Sequence, residues 1–219
     1  MSGVRIPLPR PSSERRAPCK RCPFFVSAPW LILSGYFLQR SCAVPLKTSV
    51  YIATSLDGFI ARESGELDWL MVATSSSDDH GYAAYMATID TLVMGRNTFE
   101  KVLTFGEWPY PHKRVVVLSS TLQQADMQHG VEVHPGPVAD LVEHLNETGA
   151  KGLYLDGGQV IQSFLREGRL DELTITRIPV LLGSGIPLFG ALAKDVTLQH
   201  MRSTTFESGF VQSTYRVLK

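Results

Sequence analysis

From residue 47 to the C-terminus the 219-residue chain contains no cysteine, so this stretch can form no disulfide and carry out no thiol chemistry. That suits a reducing compartment, and a cytoplasmic location is expected. Net charge is zero, which removes the whole-chain electrostatic case for nucleic acid. The apolar run from Phe24 to Leu38 has 15 residues and is broken by Pro29 and Gly35. A membrane-spanning helix needs roughly 20, so no membrane partner is expected. No internal repeat occurs at a regular period. Cys19-Lys-Arg-Cys22 has no second pair to complete a zinc site, so no metal is expected. The pattern Gly-x-Gly-x-x-Gly is absent from the turn after the first strand, which excludes the Rossmann dinucleotide fold.

What is present is divided sharply near residue 46. Residues 1–46 hold six arginines and Lys20 against the single acid Glu14, a net +6 that leaves −6 for the rest. All three cysteines and seven of the 13 prolines also lie in this part. Each proline removes a backbone donor, and the first 23 residues show no hydrophobic period, so this part reads as a disordered extension. Val44 and Leu46 are both encodable by alternative bacterial start codons, which makes an extension upstream of the functional start one reading. An export or targeting signal is the other, since Phe24–Leu38 has the length of a signal core and follows arginines. The predicted domain is residues 47–219.

The folded pattern opens with the β-rich run Lys47–Ser55. Short buried strands are expected at Thr91–Met94, Arg114–Leu118, Val131–Val133 and Gly152–Leu155, with an alternating strand at Leu173–Ile178. Helices are expected after Asp78-Asp79, at Arg96–Leu103, at Val138–Asn146 with Leu141, Val142 and Leu145 on one face, and at Gln159–Arg166. Two closing strands flank the turn Ser208-Gly209, near Val196–Ser203 and Val211–Val217. Strands alternating with helices predict an α/β fold with a mainly parallel sheet covered on both faces, and the adjacent last strands predict an antiparallel edge.

Three segments share a design in which a buried strand runs into a turn of small or polar residues. In Met94-Gly95-Arg96-Asn97-Thr98, the glycine admits close approach, the first-turn N–H groups and Thr98 hydroxyl suit a phosphate, and Arg96 adds a fork of donors. Asp156-Gly157-Gly158-Gln159-Val160 again offers bare amides at a helix start. Leu118-Ser119-Ser120 places two hydroxyls at a strand end. In open α/β sheets ligands collect at the carboxyl ends of strands, where all three lie.

The ordered set Ser55-Leu-Asp-Gly-Phe-Ile-Ala61, Leu67-Asp-Trp-Leu70, Met94-Gly-Arg-Asn-Thr-Phe-Glu100, Leu118-Ser-Ser120, Asp156-Gly-Gly158, Leu170-Asp-Glu-Leu173 and Pro179-Val-Leu-Leu-Gly-Ser-Gly-Ile-Pro-Leu-Phe189 resembles the dihydrofolate reductase superfamily. Within it, the set is most similar to the branch containing the reductase domain of the bifunctional riboflavin-pathway deaminase/reductase. The resemblance spans about Thr48–Lys219. It implies a dihydrofolate-reductase-like three-layer fold, NADPH as cofactor, and hydride transfer to a C=N or C=O group of a pterin or ribosylamino-pyrimidine-like substrate. It also implies roles by position. Ala53 and Ile60 would face the nicotinamide, with the aromatic Trp69 near the cofactor. Gly95, Arg96 and Thr98 would serve the pyrophosphate and 2′-phosphate, Leu118, Ser119 and Ser120 the adenosine side, and Gly157, Gly158, Gln159 and Val160 the diphosphate turn. Three acids are candidates for the proton source: Asp57, Asp79 and Asp156. The tryptophan-containing substrate loop of true dihydrofolate reductases and the deaminase domain of the riboflavin enzyme are both missing. A non-catalytic nucleotide-binding domain of the same fold is the alternative function. A homodimer is a further expectation, drawn from the apolar loop Leu181–Phe189.

Overall fold

The computed structural model describes residues 45–71, 79–124 and 127–219. The extension expected for residues 1–46, apart from Pro45 and Leu46, and the expected helix-start residue Asp78 lie outside the described residues. The first strand, β1 (Lys47–Ser55), matches its expected bounds, and β2 (Phe59–Ala61), α1 (Asp68–Met71) and α2 (Tyr82–Met86) follow. Next come β3 (Thr91–Gly95), α3 (Arg96–Leu103), β4 (Arg114–Leu118), β5 (Glu132–His134) and α4 (Val138–Glu147). The chain closes with β6 (Gly152–Asp156), α5 (Gly158–Arg166), β7 (Glu172–Ile178), β8 (Ile186–Pro187), β9 (Leu198–Thr205) and β10 (Val211–Val217).

Eight strands form one sheet in the order β5-β4-β3-β6-β1-β7-β10-β9, and β2 pairs with β8 separately. The six strands from β5 to β7 are parallel; β10 is antiparallel to β7, and β9 to β10. The expected parallel sheet with an antiparallel edge is therefore the observed one.

The central strands are apolar on consecutive residues because both faces are covered. On one face Val50, Val93, Val116, Leu153 and Leu155 pack with Leu141, Val142 and Leu145 of α4 and with Val160, Ile161 and Phe164 of α5. On the other, Leu92, Met94, Val115, Val117 and Tyr154 pack with Phe99 and Val102 of α3. Each fully buried large side chain contributes about 1.5–3 kcal/mol, so these two clusters dominate the stability of the sheet. A third cluster of Trp69, Ile178 and Phe210 closes the region beside α1.

Because β1, β3, β4, β6 and β7 are parallel, their carboxyl ends lie along one edge of the sheet. Ser55, Gly95, Leu118, Asp156 and Ile178 end these strands, so residues from five distant segments share that edge.

Candidate active site

The turns after β3 and β6 touch. Their strands are neighbours, with Met94 registered on Asp156. A side chain built on Gly95 would meet Val160 Cγ2 at 3.5 Å. Gly157 has φ +93°, a conformation few L residues adopt, and a side chain there would run into Thr98 Oγ1. A side chain on Gly158 would press on Ile60 Cδ1 and the Pro187 carbonyl, both at 3.1 Å. Thus Ile60, Gly95, Thr98, Gly157, Gly158 and Val160 form one cradle. Neither α3 nor α5 has a side-chain cap, so first-turn N–H groups remain available there. Bare backbone beside a hydroxyl at two helix starts is the donor set that a diphosphate needs.

The third turn lies beside the first. Arg96 Nη1 donates to Thr121 Oγ1 at 3.3 Å, and Ser119 Oγ lies 3.2 Å from the same atom. Arg96 Nε also lies 3.6 Å from Glu100, one turn along α3. That exposed pair holds the guanidinium only weakly. Thr121 was absent from the sequence-derived set. The hydroxyl pattern Ser119-Ser120-Thr121 carried the signal, since all three follow the same strand end. Behind these residues is a depression of about 300 Å³ lined by Leu118, Ser119, Ser120, His134, Gly136 and Ser163, among others. A larger one, about 370 Å³, lies at the opposite end of the strands. Its walls are already paired, Lys47 with Glu172 at 3.0 Å and Lys219 with Asp171 at 2.7 Å.

The three candidate acids are in different circumstances. Asp57 is exposed and accepts from the N–H groups of Leu182 (3.1 Å) and Gly183 (2.8 Å). The Ser55 hydroxyl first, then those amides, hold its carboxyl below the usual aspartate range. Asp79 accepts from Gly81 N–H and Ala83 N–H, each at 2.9 Å, and so caps the start of α2. Those two backbone bonds, Ala83 foremost, hold its carboxyl low as well. Both oxygens of each acid are thus used by backbone donors. Asp156 differs. Burial pushes its carboxyl up to about 6, against the opposing pull of the Gly157 N–H.

Asp156 also lies beside phenols. Its charge raises the pKa of Tyr82, Tyr85 and Tyr154, in each case after the larger effect of burial. Tyr51 stacks on Tyr85 at 4.7 Å and lies 5.9 Å from Tyr82, and Tyr154 Oη donates to the Tyr51 carbonyl. Gln212 donates to Tyr51 Oη and to Thr176 Oγ1, extending the polar floor across β7 and β10. No short sequence motif links these tyrosines, since β1, α2 and β6 bring them together.

Two residues of the sequence-derived set, Trp69 and Ala53, lie in or beside the third core cluster. Trp69 is 2% exposed and packs with Ile178 and Phe210, so it presents no ring face to a ligand. Ala53 is half-buried beside that cluster. Gln159 is exposed at the first turn of α5. Among the described residues, no group of three or more His, Cys, Asp or Glu side chains is placed to hold a metal. No helix among them is long and apolar enough to cross a membrane.

Comparison with known proteins agrees with this fold. Residues 47–212 match the RibD C-terminal domain model. Protein YwjB of Bacillus subtilis (strain 168), of uncharacterized function, is 38% identical over 155 residues, covering 70% of this chain and 88% of YwjB. The crystal structure of a protein assigned to riboflavin biosynthesis from Shewanella sp. PV-4 superposes with TM-score 0.75 at 42% identity, over 80% of this chain and all of that one. Enterococcus faecalis dihydrofolate reductase complexed with NADP(H) shares the fold, with TM-score 0.57 at 20% identity over 80% of this chain and 98% of its own. A parallel sheet whose strand ends gather a glycine-lined cradle and a buried acid, matched along its length by that domain model, makes this chain a member of the RibD C-terminal reductase domain family.

Proposed function

We propose that the protein is an NADPH-dependent reductase that delivers hydride to a C=N or C=O group of a small heterocycle of the pterin or ribosylamino-pyrimidine kind. The observation that carries the reading is the meeting, at adjacent strand ends, of the Gly95–Thr98–Gly157–Gly158 cradle and Asp156, whose carboxyl is buried. The cradle fits a dinucleotide: α3 and α5 supply amides for the diphosphate, Thr98 a hydroxyl, and Ile60 an apolar contact. Arg96, Ser119 and Thr121 form a donor cluster suited to the 2′-phosphate. The bound dinucleotide would supply the hydride. The protein's part is orientation and proton supply. Asp156 suits the second task, because an acid near 6 is protonated often enough to donate at neutral pH yet gives up its proton readily. Asp57 and Asp79, held low and bound to backbone, are poor donors.

The test is titration of the full chain with NADPH and NADH, followed by loss of reduced-nicotinamide absorbance with dihydrofolate, ribosylamino-pyrimidine and quinone-like acceptors. The expected result is tighter binding of NADPH and turnover of a heterocyclic imine or carbonyl. Binding without turnover of any acceptor would favour a nucleotide-binding domain without catalysis. No binding of either dinucleotide at high micromolar concentration would overturn the reading.

A further inference from the structure

A single stretch of chain supplies α1, α2 and β3, the elements beside Asp156. Across residues 63–95 stand six acids, Glu63, Glu66, Asp68, Asp78, Asp79 and Asp90, and no lysine or arginine. Within it, α2 sets Tyr82 and Tyr85 against Tyr51 of β1. Tyr82 is 38% exposed, so part of its ring faces outward. The charge of Asp156 reaches that phenol, and among the described residues no group bonds its hydroxyl.

The cations that flank this stretch are mostly engaged. Arg62 holds Asp68 through two bonds, of 2.7 and 2.9 Å. Arg96 turns to Thr121 and Glu100. Lys113 donates to the carbonyls of Met86 and Ile89, at 3.0 and 2.6 Å, beyond the end of α2. Lys101 is the exception, since it makes no ion pair among the described residues. It stands in the last turn of α3, about 4.5 Å along the helix axis from Thr98. A dinucleotide in the cradle would add several negative charges next to Asp156. A second anion seated there would meet those charges and the acids of the wall, with Lys101 as its one free counter-ion. What the wall offers suits an uncharged ring: a phenol face for stacking, and a hydroxyl and a carboxyl group for hydrogen bonds at its edge.

We propose that the hydride acceptor is a flat, uncharged heterocycle bearing no phosphate or carboxylate, and that Tyr82 positions it with the Asp156 carboxyl at the ring's edge. This deepens the reductase reading and rests on it. Within both kinds of acceptor it divides by charge. A bare dihydropterin or a ribosylamino-pyrimidine fits the wall. The phosphate of a phosphoribosyl group, or the glutamate tail of a folate, brings an anion to a surface of acids.

The test titrates the full chain with NADPH, then with two matched pairs, each in the presence and absence of NADPH. The pairs are a ribosylamino-pyrimidine with its 5′-phosphate, and a methyl-substituted dihydropterin with dihydrofolate. The uncharged member of each pair should bind at least about tenfold more tightly, a gap that should shrink as salt rises from about 0.05 to 0.5 M. Tyr82→Ala should weaken the uncharged rings about tenfold, and Tyr82→Phe, which keeps the ring and loses the hydroxyl, about threefold. NADPH binding should stay within about twofold in both variants, and Lys101→Gln should leave the uncharged rings within about twofold. Equal affinity within each pair, or no binding of any of the four, would overturn the proposal. So would tighter binding of the charged members, and its loss in Lys101→Gln would make Lys101 the seat of an acidic acceptor. Unchanged ring affinity in Tyr82→Ala would overturn the role of Tyr82. Failure of NADPH to bind would count against the dinucleotide reading instead, because the pairs are also compared without it.

Discussion

The strand-end edge has two halves that do different work with different materials. Over β4, β3 and the start of α5, the surface is backbone and hydroxyl: Gly95, Thr98, Gly157, Ser119 and Thr121, with Arg96 as the fixed charge. Over β6, β1 and β7, that surface gives way to a titratable acid at the strand end and, on the sheet face beside it, phenols and a buried amide: Asp156, then Tyr51, Tyr82, Tyr85 and Gln212. The first half is rigid and always ready to receive an anion, because amide donors do not titrate. The second changes charge near neutral pH. A reductase needs both properties side by side, since one partner is a polyanion held in place and the other must take up a proton.

The largest test of this division is Asp156→Asn. It should lower turnover by about 10²–10⁴-fold, the usual worth of a general acid, while the dissociation constant for NADPH moves less than about threefold. Steady-state kinetics beside a direct binding titration would separate the two. A parallel loss of binding would mean that Asp156 belongs to the nucleotide half.

Arg96→Ala probes the other half. Loss of a charge-assisted contact costs about 1.5–3 kcal/mol, so NADPH binding should weaken by roughly 10–100-fold. NADH binding should change little. Equal losses for both would show that Arg96 does not read the 2′-phosphate.

How far the sequence foretold these halves depends on what holds each residue. The core strands were legible because Val93, Val116, Leu153 and Leu155 are buried by local pattern, and helices α3 and α5 because Gly95 and Gly157-Gly158 announce their starts. The glycine and hydroxyl half was therefore largely readable as a turn pattern, with Thr121 the omission. The acid half was not. Asp57, Asp79 and Asp156 are the same residue type in similar turns, and only the fold shows that two are bound to backbone amides while the third is buried. The strands β2 and β8 escaped for a related reason: they are three and two residues long and exist through the pairing of Phe59 with Pro187. The resemblance places Trp69 near the cofactor by position alone, whereas its burial against Ile178 and Phe210 depends on segments more than 100 residues away.

Asp156 also links the site to stability, and the sign can be worked out. Its carboxyl is raised from the ordinary 3.8 to about 6 by burial. A group raised on folding favours the folded state fully below about 3.8 and loses that contribution as pH rises through about 6. Ionised Asp156 is thus a cost above pH 6, of order 1–3 kcal/mol. Asp156→Asn should raise the melting temperature at pH 8 and leave it nearly unchanged at pH 4, opposite in sense to its effect on turnover. Equal shifts at both pH values would show that the gain comes from packing.

Asp57→Asn should have the smallest effect and gives the sharpest control. The carboxylate accepts from Leu182 N–H and Gly183 N–H, and it ties the loop after β7 to the turn after β1. Asparagine keeps one acceptor oxygen, so part of that tie survives. The melting temperature should fall slightly, and kcat/KM should stay within about threefold of the original at every pH. A pH–rate profile comparing Asp57→Asn with Asp156→Asn measures the contrast directly. The former should keep the fall in rate above about pH 6 that the Asp156 carboxyl imposes, and the latter should abolish it. If Asp57→Asn removed that limb instead, the proton would enter from the turn after β1, and the two halves would have to be redrawn around a carboxylate that the fold holds low.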